Sequence, residues 1–185
     1  MQSVTLQESE YELVRRAQAG DREAFCELVR RFRTGVINVI YRMCGNADLA
    51  EDAAQQTFLS AWKSLTSFQP RASFRSWLYR IAVNATLDLL RHEKPAVDID
   101  LLPLAAPGTD PERRVELRER ASLVRQAVLS LPEASRSVLV LREYEGLSYG
   151  EIATALEIPV GTVMSRLNYA RKNLMERLKS ELEVG

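Results

Sequence analysis

Residues 146–167 read GLSYGEIATALEIPVGTVMSRL, and this stretch decides the fold. Ser148 followed three residues later by Glu151 is a capping box, so a helix starts here. Ile152, Ala153 and Leu156 give that helix one apolar face. Ile158, Pro159 and Gly161 then make a short turn. Thr162 opens a second helix, with Val163 and Leu167 facing inward. Two helices joined this way predict a helix-turn-helix, whose second helix enters the major groove of duplex DNA. Thr162, Met164, Ser165, Asn168 and Tyr169 would face outward, with Arg166, Arg171 and Lys172 available for phosphates. Residues 159–179 hold five basic side chains and one acidic, a net of +4. Phosphate contacts supply most of the affinity and position such a helix. A plain amphipathic hairpin can also end in basic residues. The coincidence of capping box, turn and basic second helix favours the DNA-binding reading.

The rest of the chain has the composition of ordinary globular protein. Its 185 residues are 46% apolar and 27% charged, enough for one mid-sized domain or two small ones. Lys plus Arg equals Asp plus Glu at 25 each. That zero total hides a net of +4 over residues 63–94, −3 over 95–119 and +2 over 159–185. The single histidine, His92, lies in a polar run and reads as a surface residue. Cys26 and Cys44 form no CxxC pair and read as packing residues. No catalytic residue, metal site or cofactor is therefore expected. No apolar run approaches the roughly 20 residues of a membrane span, and Met1–Glu12 is polar and acidic, unlike a signal peptide. A reducing cytoplasmic setting is the expectation.

Periodicity outside residues 95–111 is helical, so the fold class is all-α: two helical domains joined by an extended linker. The boundaries fall at 1–94, 95–112 and 113–185. Pro95, Pro103, Pro107 and Pro111 make the acidic linker a poor helix former. Asp21 caps a helix carrying Ala24, Phe25, Leu28, Val29 and Phe32, and a second apolar helix runs from Val36 to near Gly45. Asp48 caps a third that reaches about Leu65, and Ser73 starts a fourth that reaches about Arg91. After the linker come helices over Leu117–Leu131, from Pro132 to Gly146, and the two of the helix-turn-helix.

Two more surfaces carry chemistry. Asp52, Gln55, Gln56 and Leu59 are spaced i, i+3, i+4, i+7 and share one helix face. Ala50, Ala53, Ala54, Thr57, Phe58 and Ala61 suit the core on the other. A carboxylate, two amides and an exposed leucine together suit protein docking. Residues 62–91 interleave Trp62, Phe68, Phe74, Trp77 and Tyr79 with Lys63, Arg71, Arg75 and Arg80. Aromatic faces among cations suit unpaired bases, although Phe74 and Trp77 also have the spacing of core residues.

Three blocks in this order resemble the extracytoplasmic-function (ECF) sigma factors of bacterial RNA polymerase. They are residues 50–62, residues 74–84, and Leu131–Glu133 with Glu145–Arg171. The resemblance implies a promoter-specificity subunit without catalysis of its own. It implies that Asp52, Gln55, Gln56 and Leu59 bind the clamp helices of the polymerase β′ subunit. Phe68, Arg75, Trp77, Arg80 and Asn84 would hold and read the unpaired non-template strand at the −10 element. Thr162, Ser165, Arg166, Asn168, Arg171 and Lys172 would contact the −35 duplex, while the C-terminal domain meets the β flap. Relatives often carry Glu at the position of Gln56, and Lys or Arg at those of Met164 and Tyr169. An anti-sigma factor acting in trans is a further implied partner. The acidic linker would thread toward the RNA exit channel. The competing reading is a stand-alone helix-turn-helix repressor. A reading as an enzyme acting on nucleic acid through Asp48, Glu51 and Asp52 is weaker, because they suit a helix cap and first turn.

Overall fold

The computed structural model describes residues 9–69, 73–92 and 111–184, and every regular element in them is helical. Helix α1 (Glu10–Gln18) starts at Ser9, whose hydroxyl accepts from the Glu12 amide while the Glu12 carboxylate accepts from the Ser9 amide. The reciprocal pair satisfies two otherwise orphaned groups. Helix α2 (Arg22–Cys44) is one continuous 23-residue helix, where the sequence reading expected two. Nothing between Phe32 and Val36 breaks it: Gly35 is accommodated within the helix instead of ending it. Asp21 caps it through the Glu23 and Ala24 amides, and Gly45 ends it in the left-handed region at φ 74°.

Helix α3 (Ala47–Ser64) is capped by Asn46, which accepts from the Leu49 amide at 3.0 Å. The expected cap, Asp48, lies inside the first turn, where its charge complements the helix dipole. A 3₁₀ turn over Leu65–Ser67 follows, then α4 (Phe74–His92), with the Ser73 hydroxyl accepting from the Ser76 amide. Residues 95–110 of the expected acidic linker lie outside the described residues. Helix α5 (Pro111–Leu129) begins six residues before the expected Leu117, since proline suits a first turn. The expected straight helix from Pro132 to Gly146 is instead α6 (Glu133–Leu139) continued by a π-helical turn, Val140–Tyr144. Helix α7 (Tyr149–Leu156) and the long α8 (Val160–Val184) complete the chain; α8 is far longer than the short helix expected.

The N-terminal half buries Leu13, Leu28, Val36, Ile40, Met43, Leu65 and Leu78. The C-terminal half buries Leu141, Leu147, Ile152, Val163 and Leu167. These two sets belong to one contiguous core. The N-terminal and C-terminal halves meet where α2 packs on α5 and α6, and α4 packs on α7. Arg136 crosses this boundary: its guanidinium donates to the carbonyl of Met43 and to those of Leu129 and Leu131. Arg125 donates to the Tyr41 hydroxyl, and Arg42 stacks over the Tyr144 ring at 4.2 Å. A Cβ on Gly45 would come within 2.6 Å of Leu129, so glycine here answers both the backbone conformation and the approach of the second half.

Candidate polymerase and nucleic-acid interfaces

Asp52, Gln55, Gln56 and Leu59 are all exposed on α3, with Leu59 at 53%. Ala50, Ala53, Ala54, Thr57 and Ala61 are buried behind them, so the helix is divided as its spacing requires. Leu59 and Gln55 border a groove of about 580 Å³ between α2 and α3. Phe25, Val29, Phe58 and Trp62 form its apolar lining, with the Phe25 and Trp62 rings 4.8 Å apart. Arg33 and Glu51 pair across its rim at 2.6 Å. The α2 wall was not anticipated, because Phe25 and Val29 repeat at i, i+4 like core residues. The same geometry corrects Cys26. It is exposed in this groove, since its position on α2 falls between Arg22 and Val29 instead of on the buried stripe through Ala24 and Leu28. Cys44 is buried as expected, and burial pushes its thiol pKa up.

The second surface differs from its sequence reading. Phe68, Phe74 and Trp77 assemble with Phe32 into a packed cluster, with ring centroids 5.0–5.9 Å apart. Phe68 is only 8% exposed, and its carbonyl accepts from the Gln18 amide at 2.8 Å. It packs as a core residue in this arrangement, and what remains of its surface borders a pocket it shares with Tyr11, Gln18 and Phe74. Trp77 is half-buried and Asn84 exposed on α4. Tyr79 is buried; its hydroxyl donates to the Glu145 carboxylate, and burial followed by that hydrogen bond pushes its pKa up to about 12. Arg75 donates to the Glu145 backbone carbonyl at 2.5 Å and to its carboxylate at 3.2 Å. Arg80 pairs with Glu157. Arg71 lies outside the described residues.

The helix-turn-helix forms as the sequence requires. Ser148 and Glu151 complete their capping box, and the amide and hydroxyl of Ser148 hold the Glu151 carboxyl below its ordinary pKa. Val163 and Leu167 are buried, whereas Met164, Ser165, Asn168 and Tyr169 face solvent. Thr162 and Arg166 are half-buried, and Lys172 is exposed. Arg171 is held by Glu143 through two donors at 2.6 and 3.1 Å. Glu143 lies in the π turn, an anchor no periodicity argument could place. His92 is exposed. Among the described residues no group of three or more His, Cys, Asp and Glu is placed to hold a metal ion. No described helix is long and apolar enough to cross a membrane.

Known proteins are similar to this chain over most of its length. The Sigma-70 region 2 family model matches residues 28–95, and the Sigma-70, region 4 model matches residues 121–174. The chain is 35% identical over 177 residues to the ECF RNA polymerase sigma factor SigW of Bacillus subtilis, covering 90% of this chain and 95% of that one. The chain belongs to the ECF sigma factors. It is also 38% identical over 185 residues to the RNA polymerase sigma-H factor of Pseudomonas aeruginosa, covering 94% and 95% of the two chains. Among solved structures it is similar to CnrH in complex with the cytosolic domain of CnrY, with a TM-score of 0.70 and 29% identity, covering 91% of this chain and 96% of that one. As an ECF sigma factor it is an alternative sigma factor that directs RNA polymerase to promoters. The region 2 match takes in most of α2 with α3 and α4, and the region 4 match runs from the second half of α5 through α6 and α7 into α8.

Proposed function

We propose that the exposed α3 face, Asp52, Gln55, Gln56 and Leu59, together with the α2–α3 groove, receives the β′ clamp helices of core polymerase. The observation that carries this is the exposed leucine set among polar groups beside an apolar groove: apolar anchors inside a polar rim are the usual anatomy of a docking site. On α4, Arg75, Trp77, Arg80 and Asn84 hold the unpaired non-template strand at −10, where stacking and phosphate contacts offset the cost of extruding a base. Phe68 supports Trp77 from beneath. On α8, Ser165 and Asn168 reach base edges of the −35 duplex, and Thr162, Arg166, Arg171 and Lys172 take phosphates or flank them. The C-terminal half also meets the β flap.

The working division is 1–94, 95–112 and 113–185, with the acidic middle serving as linker. The factor works in the cytoplasm and catalyses nothing itself. An anti-sigma factor covers its polymerase-binding faces when it is silent; the similar CnrH likewise forms a complex with a second protein, the cytosolic domain of CnrY. The test is run-off transcription with bacterial core polymerase on genomic promoter fragments, with and without the protein. Discrete protein-dependent transcripts are the expected result. No transcripts, with tight duplex binding by the protein alone, would refute the reading in favour of a repressor.

A further inference from the structure

Two large apolar side chains stand in solvent at the start of α8, the helix assigned to the −35 duplex. Val160 is 45% exposed and Met164 48%, and their i, i+4 spacing puts them on one face. Neither is part of the buried core of the described residues. An apolar stripe on a helix that enters the major groove has one apolar counterpart there, the C5-methyl group of thymine. The other groups on the base edges are hydrogen-bond donors and acceptors. We infer that Met164 reads a thymine of the −35 element through that methyl group, beside the base pair contacted by Asn168. The inference rests on the α8 reading above and adds the identity of one base.

The surroundings of Met164 suit that role. Side chains on a helix lean toward its N-terminus, so Met164 lies over the turn that holds Val160 and Gly161. A Cβ on Gly161 would meet nothing within 4 Å, so no neighbour demands glycine there. The missing side chain leaves the backbone beside Met164 open to the close approach of a base edge. Polar competition at this end of α8 is low. The Ser165 hydroxyl donates to the Thr162 carbonyl at 3.1 Å, within its own helix. A lysine or arginine in place of Met164 would reach for phosphates or guanine. Methionine makes neither contact, and its flexible unbranched tip adapts to an irregular apolar surface. Asn168, also exposed, stands one turn further along. Four residues of helix rise about 6 Å, under about two base-pair steps of 3.4 Å. The thymine therefore lies on the neighbouring or next base pair to the one read by Asn168.

The test uses holoenzyme assembled from core polymerase and the full chain, with a pool of duplex promoter fragments randomised across the −35 region. Selection should return a −35 element that contains thymine. Each thymine is then replaced singly by uracil, which removes only the methyl group. One replacement, on the neighbouring or next base pair to the one at which Asn168→Ala relaxes preference, should weaken binding about fourfold, the worth of one buried methyl group. Met164→Ala should weaken binding to the thymine duplex by a similar factor and abolish the preference for thymine over uracil. Met164→Leu keeps an apolar tip and should retain most of that preference. No charge is involved, so the preference should hold across a salt series, whereas the loss in Lys172→Ala should shrink as salt rises. Met164 is exposed, so its replacement leaves the core intact, and circular dichroism verifies this. An element without thymine, the absence of a uracil-sensitive position, or a preference that survives in Met164→Ala would overturn the inference. If Asn168→Ala and Lys172→Ala still weaken binding in that case, the α8 reading stands without it. If no −35 sequence is enriched and neither variant has an effect, the α8 reading falls and the inference with it.

Discussion

Replacing Arg136 by lysine tests the joint between the two halves. The guanidinium is 9% exposed and serves three carbonyls: Met43 at the end of α2, Leu129 at the end of α5, and Leu131 at 2.9 Å. Burial holds its pKa below the ordinary arginine value, against the smaller opposing pull of the Glu133 charge. The helix-end carbonyls have no intrahelical partners, so the fork satisfies acceptors that would otherwise be orphaned. A lysine ammonium is a point donor on a narrower reach and serves one of the three well. Losing two charge-assisted hydrogen bonds at about 1.5 kcal/mol each, the low end for charged groups, costs about 3 kcal/mol. Total stability for such a protein is on the order of 5–15 kcal/mol, so this is a large share. At roughly 2–4 °C per kcal/mol for a chain of this size, Tm should fall by about 6–12 °C. Urea unfolding followed by circular dichroism, with Tm from calorimetry, measures both. A loss under about 0.5 kcal/mol, the usual range for surface changes, would refute the claim that the fork satisfies those carbonyls.

Leu59→Asp should weaken core-polymerase binding by about tenfold, from the loss of roughly 1–1.5 kcal/mol of half-side-chain burial, with Tm unchanged; equal affinity in a competition assay would remove α3 from the interface. Ser148→Ala should cost about 1 kcal/mol through the lost cap, measured by urea unfolding. The Glu151 contribution is present above its unfolded value of 4.5 and is lost as pH falls through its lowered folded pKa, so the gap between wild type and variant should close in acid; a gap constant with pH would refute this. Tyr79, raised from 10 to about 12, contributes stability fully present below pH 10 and lost as pH rises toward 12. A tyrosinate absorbance titration should lose a late-ionising component in Tyr79→Phe, and loss of an ordinary component instead would contradict its burial against Glu145. Lys172→Ala should weaken −35 duplex binding evenly across sequences and lower the salt slope by about 0.9, whereas Asn168→Ala should relax preference at one base pair.

Local chemistry made the helix-turn-helix legible in the sequence. A capping box, a proline turn and two inward apolar positions act over a few residues, so Ser148, Glu151, Val163 and Leu167 announce their roles without reference to the rest of the chain. The exposed face of α3 was equally legible, because i, i+3, i+4, i+7 spacing is a property of one helix. The role of the aromatics in residues 62–91 was not. Phe68 as core and as base platform are the same letter at the same spacing, and only the approach of Phe74 and Trp77 buries it. Cys26 fails for the opposite reason: an apolar neighbourhood in sequence turned out to be the wall of an open groove.

Taken by itself, the sequence determined an all-α chain of two helical halves, one of them a helix-turn-helix, and the family resemblance. These follow from periodicity, caps and proline placement, which are short-range. Tertiary structure alone decided that α2 is a single helix walling a groove, and that Arg136 joins the halves. It also decided that Glu145 and Glu157 reach Arg75 and Arg80 from about 70 or more positions away in sequence. Such pairs depend on how two cores dock, and docking is set by shape and charge summed over both surfaces, which no local pattern encodes.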